Sequence, residues 1–167
     1  MMIKKIALLL CVILAGCKGN SQEKNTSAKT ADTTEKKFAV TKTKEEWKKE
    51  LTDLEYYVLR QAGTETAFTS DLLKDKGPGE YVCAGCGTPV FKAEHKFDSG
   101  TGWPSFDRAI EGNVAYDVDY KIGYKRTEEH CAVCGGHLGH MFDDGPQKTT
   151  GKRHCINGAA LNFVPSK

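Results

Sequence analysis

The sequence predicts a mainly β fold: a small antiparallel β domain with short helices at its front, stapled by a metal. Three observations carry that expectation. The chain has 17 glycines and few long apolar runs. Beyond residue 63 the helical period disappears, and short β-rich stretches alternate with Gly, Pro and Asp clusters. Two Cys-x-x-Cys units stand far apart in the chain. At 167 residues there is room for one domain and whatever the two ends carry.

The front of the domain reads as two helices, over about 44–50 and 53–62. Thr43 with Glu46, and Thr52 with Glu55, each have the spacing of a capping box. Trp47 and Leu51 fall at i, i+4 on one face. Gly63 is expected to end the second helix. The stretches "EYVCA", "PVFK", "NVAYDVDY", "IGYKRT", "RHCI" and "ALNF" then read as strands.

The N-terminus has a different character. Lys4 and Lys5 precede nine unbroken apolar residues, Ile6 to Leu14, followed by Ala15, Gly16 and Cys17. This is a secretory signal layout. At about 1.5 Å per residue the apolar run spans roughly 14 Å, too short for a hydrocarbon core of about 30 Å. "LAGC" resembles the lipobox of bacterial lipoproteins. That resemblance implies cleavage after residue 16, a lipid on Cys17, and an exported protein anchored to a membrane of the cell envelope. An ordinary secretory signal with an accidental cysteine is the alternative. Residues 18–37 contain no large apolar side chain and cannot offset their ordering entropy by burial. We read 17–42 as lipidated cysteine and tether, and 43–167 as the domain. A net charge of +2 argues against a nucleic-acid partner, and nothing demands more than a monomer.

Cys83, Cys86, Cys131 and Cys134 form the two Cys-x-x-Cys units, 44 residues apart, and each unit is followed by glycine. Four thiolates suit tetrahedral Zn2+, and a closed four-ligand site is structural rather than catalytic. Disulfides or a redox pair are the alternatives in an exported protein. A thioredoxin-type motif, however, sits beside a βαβ unit, and none is visible.

Cys155 is then the one thiol left over. In an extended "GKRHCIN", Arg153, Cys155 and Asn157 share one face, while His154 and Ile156 take the other. A cation beside a thiol stabilises the nucleophilic thiolate. His137 and His140, in "GGHLGHMFDDGP", could supply a proton or hold a water, or else bind metal. Trp103 and Phe106, in "KFDSGTGWPSF", are candidates to face a ligand, with plain packing as the alternative.

The segments "GTETAF", "CAGCGTPVF", "KFDSGTGWPSF", "RTEEHCAVCGGHLGHMFDDGP" and "GKRHCINGAALNF" occur in this order. Together they resemble the methionine-R-sulfoxide reductase B family, peptide-methionine (R)-S-oxide reductases, over roughly residues 44–165. The resemblance implies two antiparallel β-sheets with short helices on the N-terminal side, and zinc held by the four cysteines. It implies repair of oxidised proteins, with Cys155 as nucleophile and Trp103 against the methyl group of the sulfoxide. His137, His140, Arg153 and Asn157 match the family's active-site positions. We expect His140 to deliver the proton, and His137 and Asn157 to orient the oxygen.

Three departures matter. Many members carry a resolving cysteine where this chain has Thr101, so the expectation is a one-cysteine enzyme regenerated by a thioredoxin-like or other external thiol. His154 replaces the usual tyrosine, and on the far face of the strand it should matter little. Gly158 replaces serine. Two rival readings are a zinc-ribbon binding module, in which Cys155 is idle, and a thiol–disulfide oxidoreductase using a Cys-x-x-Cys pair.

Overall fold

A computed structural model describes residues 38–167. The signal-peptide and lipid-anchor expectations, including Cys17, lie outside the described residues, as does the tether up to residue 37. Two helices open the domain, α1 (Lys44–Glu50) and α2 (Asp53–Gln61). Both predicted capping boxes are present. Thr43 and Thr52 each donate a backbone N–H to the glutamate three residues on, at 2.7 Å, and accept that residue's N–H in return. The end of α2 differs from expectation. Ala62, not a glycine, takes the left-handed conformation, with φ 49°. Gly63 is needed for another reason: a Cβ there would lie 2.3 Å from the Tyr57 ring.

The strands follow in order: β1 (Gly79–Cys83), β2 (Pro89–Lys92), β3 (Lys96–Phe97), β4 (Ser105–Phe106), β5 (Val114–Asp119), β6 (Arg126–Cys131), β7 (His137–Phe142), β8 (Arg153–Ile156) and β9 (Leu161–Pro165). They form two antiparallel sheets, β2-β1-β9 and β3-β4-β8-β7-β6-β5, as the mainly β expectation requires. Short 3-10 turns at Asp71–Leu73, Ala93–His95 and Gly158–Ala160 join them.

Two strand expectations are corrected. "IGYKRT" is mostly turn: Gly123 has φ 87° and donates to the Tyr120 carbonyl at 3.0 Å, and β6 starts only at Arg126. β7 was not expected as a strand, because its histidines and glycines look like a polar cluster. It pairs closely with β8, because a Cβ at Gly139 would lie 2.0 Å from the Cys155 carbonyl oxygen.

The core lies between the sheets and under the helices. Trp47 of α1 and Val58 and Leu59 of α2 are buried from the helices, while Tyr81, Phe91, Leu138 and Ile156 come from the strands. Phe106 belongs here too. It is fully buried, stacks on Phe91 at 4.4 Å between centroids, and meets Tyr81 edge-on at 4.9 Å. Aromatic burial of this kind is a packing role. The expectation that Phe106 faces a substrate is therefore wrong.

Candidate active site

The four cysteines converge where β1 and β6 end. Each Cys-x-x-Cys unit closes a tight turn in which Gly87 or Gly135 donates to the carbonyl of the first cysteine at 2.8 Å. Both glycines are left-handed, with φ 74° and 69°. The four sulfurs lie within 4.8 Å of one another, with Cys86 to Cys131 at 3.5 Å and Cys83 to Cys134 at 3.7 Å. Zinc–sulfur bonds of about 2.3 Å in a tetrahedron give sulfur–sulfur edges of about 3.8 Å, whereas a disulfide needs about 2.05 Å. The donor set fits one ion held by four sulfurs. It joins the three-stranded sheet, through β1, to the six-stranded sheet, through β6.

The second site forms around β8. Cys155 lies between Ser105 of β4 and His140 of β7 in the sheet register. The alternation along β8 holds as expected, with Ile156 and His154 packed inward and Cys155 half-buried on the other face. A pocket of about 120 Å³ opens over Cys155, lined by Thr64, Trp103, Arg126, Gly139, His140, Phe142 and Asn157. Its walls come from the loop after α2, the 97–105 loop, β6, β7 and β8.

Each expected residue has a definite place. His140 presents Nε2 to Asp119 Oδ2 at 2.8 Å, and Arg126 also bonds that carboxylate. An ionised Asp119 only accepts, so the His140 proton sits on Nε2 and Nδ1 is free to act. The Lys121 N–H, His140 and Arg126 hold the Asp119 carboxyl well below the usual range. Burial pushes the His140 imidazole down, opposed by Asp119. His137 is buried beside His140, with centroids 5.3 Å apart, and its Nδ1 bonds Glu128 at 2.7 Å. Arg153 makes a bidentate pair with Asp144, at 2.8 and 2.9 Å, and lies over the Phe142 ring. Burial pushes the Cys155 thiol up, and the Arg153 cation pulls it back only in part. The sequence suggested a cation-activated thiolate; the structure has a thiol whose burial outweighs the cation.

Asn157 is mostly a brace. Its Oδ1 accepts from the Glu65 N–H at 3.0 Å and its Nδ2 donates to the Leu138 carbonyl at 3.0 Å. Trp103 donates Nε1–H to the Glu65 carbonyl at 3.2 Å. Thr101 stands with its hydroxyl 4.0 Å from the Cys155 sulfur. His154 does not matter as little as expected, because its Nδ1 meets Glu129 Oε1 at 2.6 Å deep in the core. Gly158 is also constrained, since a Cβ there would sit 1.9 Å from the Ser70 hydroxyl.

Glu65, Asp119 and Arg126 were missed as site residues. Asp119 and Arg126 are cross-strand partners on β5 and β6, a relation visible only once the hairpin register is known. Glu65 sits inside "GTETAF", where nothing in its immediate neighbours marks it.

The SelR domain family matches residues 51–165. The peptide methionine sulfoxide reductase MsrB of Leptospira interrogans is 51% identical over 127 residues, covering 75% of this chain and 96% of that protein. MsrB of Leifsonia xyli is 47% identical over 129 residues, 77% of this chain and 93% of that protein. The mitochondrial methionine-R-sulfoxide reductase B3 of Mus musculus is 50% identical over 123 residues, 73% of this chain but 48% of that longer protein. With the domain matched almost end to end and the Cys155 pocket assembled from its strands, the chain belongs to the methionine-R-sulfoxide reductase B family.

Proposed function

We infer that this protein reduces the R epimer of methionine sulfoxide in oxidised proteins to methionine. The observation that carries the reading is the single pocket that gathers Cys155, His140 and Trp103. The indole offers an apolar wall for the methyl group, and Cys155 lines the same pocket, where its sulfur can attack the sulfoxide sulfur.

The protonation states support a defined route. Burial raises Cys155 and lowers His140, so the resting pair is neutral thiol and neutral imidazole. The thiol proton passes to His140 Nδ1 as the sulfur attacks, and Asp119 steadies the imidazolium through Nε2–H. His140 then returns that proton to the sulfoxide oxygen. The S–O bond of the substrate breaks and an S–O bond to Cys155 forms. Methionine leaves, its sulfur reduced by two electrons, and Cys155 is oxidised to the sulfenic acid. His137 and Asn157 hold the strands that frame the oxygen.

Two equivalents of an external thiol complete the cycle. They give a disulfide and water and restore the Cys155 thiol. The reading of a one-cysteine enzyme rests on Thr101 and on the other four cysteines of the described residues being gathered in the metal cluster. Zinc there would hold β1 and β6 together and take no part in the reaction. The signal layout and "LAGC" support export and a lipid anchor at Cys17.

The test uses the fragment from Lys18 on, with dithiothreitol as reductant and the separate R and S epimers of a peptide methionine sulfoxide. Turnover of R alone, abolished by Cys155→Ser, is expected. Turnover of neither epimer with zinc bound would sink the reading in favour of a binding module.

A further inference from the structure

Glu65 stands at the centre of the pocket's frame without itself lining the pocket. Its backbone carbonyl accepts the Trp103 indole N–H at 3.2 Å. Its backbone N–H donates to Asn157 Oδ1 at 3.0 Å. Its carboxylate accepts the N–H groups of Gly158, at Oε1, and Ala159, at Oε2, the latter at 2.9 Å. One residue therefore ties the substrate wall at Trp103 to the chain that leaves β8 directly after the nucleophile.

The side chain is an unusual choice for that task. Glu65 is buried, and among the described residues its carboxylate forms no salt bridge. Burying a carboxylate is costly unless each oxygen is hydrogen-bonded. Here each oxygen takes one backbone N–H. An amide could not replace it, because glutamine offers one acceptor oxygen and would point its NH2 at the second N–H. The absence of a Cβ at Gly158 also serves the clamp, since an added Cβ would come within 3.3 Å of Glu65 Oε1 and collide with Ser70.

We propose that Glu65 is a positioning residue for substrate binding: its carboxylate clamps residue 65 to the turn after β8, and so fixes the Trp103 indole against the sulfoxide methyl group. The inference rests on the reductase reading for its kinetic consequence. Cys155 is held separately, by pairing with β4 and β7. Loosening the clamp should therefore weaken binding and leave the nucleophile alone.

The experiment is a double-mutant cycle with Glu65→Gln and Trp103→Phe, on the R epimer of a peptide methionine sulfoxide. Glu65→Gln is expected to raise KM about tenfold and lower kcat less than threefold, with the iodoacetamide reactivity of Cys155 unchanged. In the Trp103→Phe background the same substitution should change KM less than twofold, because the two act as a unit. Glu65→Asp, which keeps both oxygens but is one methylene short, should fall between. It also serves as the test if the glutamine variant does not fold. Acrylamide quenching of Trp103 emission, isolated as the difference from Trp103→Phe, should rise in both Glu65 variants. Equal KM effects in the two backgrounds, or unchanged quenching, would overturn the clamp. Quenching needs no turnover, so a failed clamp is distinguishable from a chain that reduces neither epimer.

Discussion

Glu129 and His154 form a hydrogen-bonded pair in the interior, with Oε1 and Nδ1 2.6 Å apart and both residues almost wholly removed from solvent. His154 is the chain neighbour of Cys155 but faces the opposite side of β8, towards Phe91. Burial pushes the Glu129 carboxyl up, and the His154 bond pulls against that. The pair therefore holds β6 and β8 together behind the nucleophile. Glu129→Ala leaves a buried imidazole nitrogen without its partner, and an unsatisfied buried polar group costs about 1–3 kcal/mol. Urea unfolding should show a loss of that order. Replacing both residues, with Glu129→Leu and His154→Phe, should recover most of it, since an apolar pair removes both desolvation penalties. A single variant as stable as the parent would show that the pair contributes nothing.

The neutral thiol and imidazole set the pH dependence. In the proposed route a neutral His140 receives the thiol proton, and its lowered pKa moves the acid limb of kcat/KM below the ordinary imidazole range. In the same proposed route Cys155 keeps its proton until attack, and its raised pKa moves the alkaline limb above the ordinary thiol range. The expected profile is a broad plateau across neutral pH. Asp119→Asn removes the carboxylate that opposes burial at His140, so its acid limb should move to still lower pH. Loss of the imidazolium's partner should also lower kcat by about 10²-fold. An acid limb that shifts upward in Asp119→Asn would contradict this arrangement.

The sequence was informative where spacing is itself the physics. Thr43, Glu46, Thr52 and Glu55 announced both helix starts, because a capping box is a three-residue relation within one turn. The paired cysteines announced the four-sulfur cluster for the same reason. Alternation placed Cys155 and His154 on opposite faces of β8. What stayed hidden depends on pairing between distant segments. β7 has glycine and two histidines where β-branched residues would signal a strand, and only its tight fit to β8 makes Gly139 necessary. Phe106 and Trp103 are three residues apart in one Gly-Pro-rich loop. One ends in the core and the other at the pocket because β4 begins between them.

Thr101 offers a direct test of how the enzyme is regenerated. Its hydroxyl lies 4.0 Å from the Cys155 sulfur, and the other cysteines of the described residues are gathered in the four-sulfur cluster. After one turnover without reductant, the parent should hold one sulfenic acid per chain, trapped by dimedone at Cys155. Thr101→Cys should instead yield an intramolecular disulfide and lose the dimedone adduct. A disulfide to Cys155 in the parent would show that a zinc cysteine serves as the second thiol, and the one-cysteine reading would fall.

Metal removal should separate structure from chemistry. The four sulfurs gather at the ends of β1 and β6, so an ion held by them would span the two sheets at a point that the hydrogen bonds between strands do not cross. Structural zinc binds with an apparent free energy of about 10–16 kcal/mol at neutral pH, comparable to the whole stability of a domain. Stripping it should therefore unfold the chain rather than merely inactivate it, seen as loss of the cooperative thermal transition by circular dichroism. In the fragment from Lys18 on, thiol titration should find one accessible group, Cys155, in the native protein. After denaturation with chelator it should find five, from Cys83, Cys86, Cys131, Cys134 and Cys155. One zinc per chain should accompany the first state and none the second. Five reactive thiols in the native, metal-free chain, with an unchanged thermal transition, would mean the cluster is not a structural centre.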